Sequence, residues 1–275
     1  MINRTDLAVE AAMSEKSYTN GIKSKEYYKN NLAVTETEVD AQAGERIGKS
    51  AGRYVTVFAK DLFSGTQTDS YSEVLTELLK DFLPDTGLVL VVGLGNREIT
   101  PDALGPFVAE RVLATRHLSD EMPDILPDLR AVASLSTGVL AQTGIETAEI
   151  IKAICERIHP KAVVAIDALA ARDAERLLTT IQFSDTGIQP GAGVMNKRAE
   201  ISERTLNIPV IALGVPTVVD AYRVSGEQNT TTAPLMVTPK DIDVMTRRAS
   251  DLIALSLNCA LQTKLSAEDI AFLAM

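Results

Sequence analysis

Three uninterrupted apolar runs, residues 88–92, 162–166 and 208–213, do most to limit what this chain can fold into. A strand with one wet face alternates apolar and polar residues; a run without alternation must be covered on both faces. The stretches between and after these runs carry helical spacing, with Phe107, Val108, Val112 and Leu113 on one side of 106–118, and with further helices over 145–158 and 239–261. Thr238 before Pro239 reads as the cap of the last one. A fourth strand is predicted over 129–135. The alternation predicts an α/β fold, a mainly parallel sheet with helices on both faces.

The chain changes character before residue 85. Residues 1–24 are polar and mixed, with no strand period. Val34, Val39, Tyr54, Val55 and Val57, with turn glycines Gly44, Gly48 and Gly52, predict a small N-terminal β hairpin or sheet over 34–58. Val74, Leu75, Leu78, Leu79 and Phe82 predict a helix over 71–83, started by Ser70 or Ser72 and stopped by Pro84. Residues 8–275 read as a single domain.

With 275 residues, 45% apolar and 23% charged, the chain is long enough to bury a sizeable core. No apolar run reaches the roughly 18 to 20 residues that span a bilayer, and residues 1–6 lack the apolar stretch of a secretory signal. A cytoplasmic location with no membrane partner is expected. The net charge of −10 repels phosphate backbones, and with 4% aromatics and no Trp there is no stacking platform, so no direct nucleic-acid partner is expected. Cys155 and Cys259 sit in helical patterns and read as two buried small apolar residues in a reducing compartment rather than as catalytic thiols.

Ligands in open α/β sheets bind at the carboxyl ends of the strands. Two carboxylates take such positions: Asp102, in the loop that leaves the first run, and Asp167, which ends the run 162–166. A carboxylate there is costly unless paired, which marks it as functional, but Asp also caps turns and helices, and both readings stand. Gly93-Leu94-Gly95-Asn96 lacks the third glycine of a dinucleotide site, with Glu98 in its place and Pro101 before any helix; the glycine pair predicts a tight turn and close backbone approach. Asp185-Thr186-Gly187 matches the triplet of pepsin-like proteases, but those are all-β and carry two copies, so Asp185 reads as a turn former. His117 and His159 fall near helix ends, where the dipole stabilises a histidine. They make no ligand motif, so neither a metal nor another cofactor is expected, and no Gly-x-Ser-x-Gly elbow supports a serine triad.

Several longer motifs, in order, carry a resemblance. Thr100-Pro101-Asp102-Ala103-Leu104-Gly105-Pro106, Gln142-Thr143-Gly144-Ile145-Glu146-Thr147, Ala165-Ile166-Asp167-Ala168-Leu169-Ala170 and Ser184-Asp185-Thr186-Gly187-Ile188 are among them. So are Asn196-Lys197-Arg198, Gly214-Val215-Pro216-Thr217-Val218-Val219-Asp220-Ala221 and Leu235-Met236-Val237-Thr238-Pro239-Lys240. Together they resemble the spore germination protease family. The resemblance implies an endopeptidase that starts the degradation of small acid-soluble spore proteins, a homotetramer in the spore core, made as a zymogen that cleaves itself. The family's two proposed catalytic aspartates fall on Asp102 and Asp167. The fold it implies is similar to that of hydrogenase maturation endopeptidases.

Thr5-Asp6-Leu7-Ala8-Val9-Glu10 resembles the family's processing site and predicts a propeptide of residues 1–7, cut between Leu7 and Ala8. Asn96, Asp185 and Gly193 are candidates for the substrate or oxyanion region. The chain departs from the family in a short leader, in Thr137 where Pro is usual, in Ala192 and Met195 of the glycine-rich loop, and in a short stretch over 225–234. Three other functions are weighed: a metal-dependent maturation-type peptidase with the same aspartates as ligands, a peptidyl-tRNA hydrolase, and a non-catalytic Rossmann-like binding module.

Overall fold

The computed structural model describes residues 5–14, 20–121, 129–194, 198–225 and 235–273. Met195, Asn196, Lys197, residues 1–4 of the leader and 226–234 of the short stretch lie outside the described residues.

Helix α1 (Ala8–Ser14) is followed by strands β1 (Ile22–Lys29) and β2 (Leu32–Val39), helix α2 (Ala41–Ile47) and strand β3 (Gly52–Phe58). Helix α3 (Thr68–Lys80) leads to β4 (Val89–Leu94), α4 (Leu104–Arg111), α5 (Arg116–Glu121) and β5 (Val132–Gly138). Then come α6 (Leu140–Thr143), α7 (Thr147–Ile158), β6 (Ala162–Ala171) and β7 (Thr180–Ser184). The last elements are α8 (Glu203–Leu206), β8 (Val210–Asp220), α9 (Ala221–Ser225), β9 (Met236–Val237), α10 (Ile242–Leu261) and α11 (Ala267–Leu273).

The strands form one sheet in the order β1-β2-β3-β7-β8-β6-β4-β5, with β9 on β8. Strands β8, β6, β4 and β5 are mutually parallel, while β7, β3, β2 and β1 continue the sheet as an antiparallel wing. The three apolar runs are therefore β4, β6 and β8, the interior of the parallel half. Successive residues supply opposite faces. Val89, Val91, Val164, Ile166, Ile211 and Leu213 pack under α3, α4 and α10, and Leu90, Val92, Val163, Ala165 and Val210 pack under α7 and Leu206. The expected α/β architecture with helices on both faces is what forms.

The N-terminal region departs from a hairpin over 34–58. Strands β2 and β3 are antiparallel but joined through α2, which Asp40 caps by accepting the Ala43 amide at 2.8 Å and Gly48 closes at φ 68°. Because β3 also pairs with β7, this region is part of the main sheet. Helix α1, strand β1 and strand β7 carried no readable period. Strand β1, Ile-Lys-Ser-Lys-Glu-Tyr-Tyr-Lys, is an edge that stays mostly exposed, so burial imposes no alternation on it.

Other boundaries moved for local reasons. The helix predicted over 106–118 breaks at Val112, whose backbone is extended. His117 consequently lies in the first turn of α5, whereas His159 caps the C-terminus of α7 in the left-handed region at φ 51°. Thr238 does not cap the last helix. Its hydroxyl donates to the Thr217 carbonyl at 2.8 Å, and α10 starts after Asp241. Helix α3 starts before Ser70, its N-cap being Gln67, and ends at Lys80, ahead of Pro84. Cys155 is buried and Cys259 half-buried; burial pushes the Cys155 thiol up to about 11, far from a reactive thiolate.

Candidate active site

Glycines bring the two aspartates to one edge of the sheet. A Cβ on Gly93 would lie 2.2 Å from the Gly105 carbonyl oxygen, and one on Gly105 would lie 2.3 Å from the Leu94 oxygen and 2.4 Å from the Ile166 oxygen. Without side chains at these positions, the start of α4 settles directly on the ends of β4 and β6. Gly95, at φ 107°, turns the chain so tightly that its Cβ would stand 2.1 Å from the Asp102 carbonyl oxygen. This is the close backbone approach that the glycine pair predicts.

Asp102 ends a short 3-10 turn, Thr100–Asp102. Its Oδ2 accepts the Asn96 backbone amide at 2.6 Å. The Thr217 hydroxyl on β8 donates to the Pro101 carbonyl at 2.7 Å and holds the turn against the sheet.

Asp167 does not end its strand. β6 continues to Ala171 because β8 keeps pairing alongside it, with Asp167 in register with Gly214. The residue is 6% exposed, and its Oδ1 accepts the Ala168 amide at 2.9 Å. The turn-cap reading of Asp167 therefore does not hold.

The two carboxylates line one cavity of about 520 Å3, shared with Asp6, Asn96, Arg198 and Thr238. Burial holds the Asp167 carboxyl well above the usual carboxylate range, and the charges of Asp102 and Asp6 push it further the same way. Desolvation also raises Asp102, against the opposing pull of the Asn96 amide. Removal from water thus favours the neutral form of both, more strongly at Asp167.

The segment before and along α1 is packed into this site. Leu7 is fully buried among Val9, Leu169, Ala171 and Ile188. The Ala8 amide donates to Gln182 Oε1 at 2.7 Å, and Gln182 Nε2 donates to the Asp6 carbonyl at 3.2 Å. Glu10, also fully buried, accepts the Arg172 and Asp173 amides at 2.7 and 2.9 Å as well as the Thr5 hydroxyl. Leu7 and Ala8 point into packed protein, and Asp6 is the residue of this segment that lines the cavity.

Asn96 also lines the cavity. Its Oδ1 accepts the Glu98 amide at 3.0 Å and Gln142 Nε2 at 2.7 Å, which fixes the side-chain amide. Gly193 abuts the Asp6 carboxylate. Asp185 is not among the residues that line the cavity of Asp102 and Asp167; its Oδ1 accepts the Arg53 amide at 2.8 Å and ties the end of β7 to β3, a cross-strand link rather than a turn contact. The pattern of residues gave no sign of Lys49 or Gln182, and Arg198 entered only within the motif Asn196-Lys197-Arg198, with no role of its own. They lie on a loop, an unread strand and a glycine-rich segment, and meet the aspartates only in three dimensions. Among the described residues, no group of three or more His, Cys, Asp or Glu side chains converges as metal ligands do, and no helix is long and apolar enough to cross a membrane.

The germination protease family model matches residues 1–232. The germination protease of Clostridium tetani is 41% identical over 315 aligned positions, covering 97% of this chain and 98% of that protein. That of Bacillus velezensis is 44% identical over 239 positions, covering 82% of this chain and 65% of its own length. Among solved structures, the NiFe hydrogenase maturation protease HycI from Thermococcus kodakarensis aligns with a TM-score of 0.38 and 19% identity, over 66% of this chain and 98% of that one.

Proposed function

The chain belongs to the germination protease family, and from that premise we propose that it is an endopeptidase in which Asp102 and Asp167 act as one acid–base pair. The observation that carries this reading is the shared cavity, with the more buried carboxyl raised first by burial and then by the charge of its neighbour. Like charges lining one cavity resist joint ionisation, so the pair holds one proton. Asp167 keeps it. Asp102, whose anion accepts the Asn96 amide, is the ionised partner.

Asp102 takes a proton from water as its oxygen attacks the peptide carbonyl. Asp167 gives its proton to the leaving amine as the C–N bond breaks. The Asn96 side-chain amide, fixed by Gln142 and Glu98, donates to the carbonyl oxygen as negative charge develops there.

Replacing either aspartate by Asn is expected to lower kcat by about 10²- to 10⁴-fold while leaving peptide binding within a few-fold. Full proteolysis by Asp102→Asn or by Asp167→Asn sinks the pair. The rate should follow a bell in pH, falling on the acid side as Asp102 gains a proton and on the alkaline side as Asp167 loses its own. Activity abolished by chelation and restored by a divalent metal would instead make the two aspartates ligands.

The finer reading is a zymogen that processes itself at Leu7–Ala8, assembles as a homotetramer and acts on small acid-soluble spore proteins in the spore core. Support comes from the family and from the leader's place against the carboxylates. A matured chain beginning at Ala8 is the expected product. A matured chain beginning anywhere else defeats the predicted cut.

A further inference from the structure

The motif Gly214-Val215-Pro216-Thr217-Val218-Val219 runs through β8, an interior strand, and places a proline where such strands normally have none. The ladder breaks at this point. Leu169 of β6 pairs with Pro216 and Ala170 with Val218, so Thr217 is an extra residue without a partner on β6. Proline, which has no amide to give, is tolerated at such a bulge, and a bulge re-aims the side chain it carries.

Thr217 is 1% exposed. Its hydroxyl donates to the Pro101 carbonyl at 2.7 Å across 116 residues of chain, and its own carbonyl accepts the Thr238 hydroxyl at 2.8 Å. The Pro101 carbonyl belongs to the peptide unit that enters Asp102. That unit is planar and stiff, so fixing its oxygen fixes the Asp102 amide and Cα as well. The carboxylate end is fixed separately, by the Asn96 amide on Oδ2 at 2.6 Å. Asp102 is thus tied twice, at its backbone from β8 and at its side chain from its own loop.

Resting on the endopeptidase reading above, we propose that the Pro216–Thr217 bulge sets Asp102 against Asp167, with Thr217 as the positioning residue and Thr238 as the support behind it. Strand β8 runs in register with Asp167 at Gly214 and reaches the Asp102 turn through Thr217, so one strand is the reference for both carboxylates. Without the hydroxyl, the Pro101 carbonyl loses its donor, the turn lifts from the sheet and Asp102 retreats from its partner. The hydroxyl hydrogen is committed to Pro101, so Thr217 acts through the place of Asp102 and not on the peptide.

The first measurement needs no catalysis. In the full-length chain, carbon-13 NMR follows the titration of the Asp167 carboxyl, which burial and then the Asp102 charge hold up. Thr217→Val keeps the branched shape and loses the donor; it should lower the pH at which Asp167 titrates. Thr217→Ser should leave that pH at the parent's value. The charge of Asp6, which also acts on Asp167, is the same in every variant. With Asp102→Asn already in place, Thr217→Val should move Asp167 no further. An unmoved Asp167 in Thr217→Val, or an equal shift with and without Asp102, overturns the proposal.

The second measurement is cleavage of a peptide with the chain's own order from Thr5 to Glu10, before and after removal of the leader. Thr217→Val should lower kcat by about 10- to 100-fold with KM within about two-fold, the loss that follows a displacement of about 1 Å. Thr217→Ser should recover most of it, and Thr238→Val should show a smaller loss of the same kind. Thr180→Val on β7 makes the same exchange at a buried hydroxyl without a hydrogen-bond partner among the described residues, and should keep the parent's kcat. Equal losses in Thr180→Val and Thr217→Val, a loss in KM alone, or Thr217→Ser as slow as Thr217→Val overturns the positioning role. Should Thr217→Val fail to fold, Thr238→Val carries both readouts. If neither form of the parent cuts the peptide while Thr217→Val still moves Asp167, the peptidase reading fails and the hold on Asp102 stands.

Discussion

The parallel half of the sheet and its antiparallel wing obey different rules. Strands β4, β6 and β8 are covered on both faces, and nearly every residue in them is buried. Strand β1 has one paired edge and stays largely open, with Tyr28 at 81% exposure. Each half also contributes differently to the site. The parallel half supplies Asp102 and Asp167, while Lys49 beside β3 and Gln182 on β7 hold the N-terminal segment against them. Closely packed strand ends hold the two carboxylates, and the wing holds the N-terminal segment.

The sharpest way to break this contrast is Gly105→Ala. Its methyl would press on the backbone of both β4 and β6, which cannot move without separating strands, so a loss of more than about 4 kcal/mol is expected in denaturant titration. If stability stays near the parent's, the account of how α4 seats on the sheet is wrong.

Next comes Ile166→Ala, which empties a fully buried site in the parallel half. A cost of about 2–5 kcal/mol is expected, against about 0.5 kcal/mol or less for Tyr28→Ala in the wing. Equal costs would erase the distinction between the two halves.

Asp167→Asn should have the opposite sign. In the folded chain the carboxyl titrates above its unfolded value, so the folded state binds more protons between those two values. The stabilising contribution of that bound proton is present at low pH and lost as pH rises through the raised value. Asn removes this dependence, so the variant should gain on the parent in Tm as pH rises from about 4, while losing proteolysis. A constant Tm difference across pH would show that Asp167 is not desolvated. The smallest effect belongs to the exposed ion pair between Lys29 of β1 and Glu77 of α3, where Lys29→Ala should stay within about 0.5 kcal/mol.

The sequence by itself determined the parallel half. Runs with no polar alternation have no stable place except between two helical layers, so β4, β6, β8 and their covering helices are legible in the residues themselves. Asp102 and Asp167 were legible as carboxylates at strand ends, although Asp167 sits inside a strand that neighbouring β8 extends.

The wing and the grip on the N-terminal segment came only from tertiary structure. Strand β7 owes its form to β3 and β8, which lie far away in the chain, and edge strand β1 to its neighbour β2, neither to a period of its own. Lys49 and Gly193 meet Asp6 only after long-range pairing has drawn the loops together. Burial pattern is a local property that a sequence writes down directly, whereas convergence of side chains from distant segments depends on how the strands are ordered, and no single stretch encodes that order.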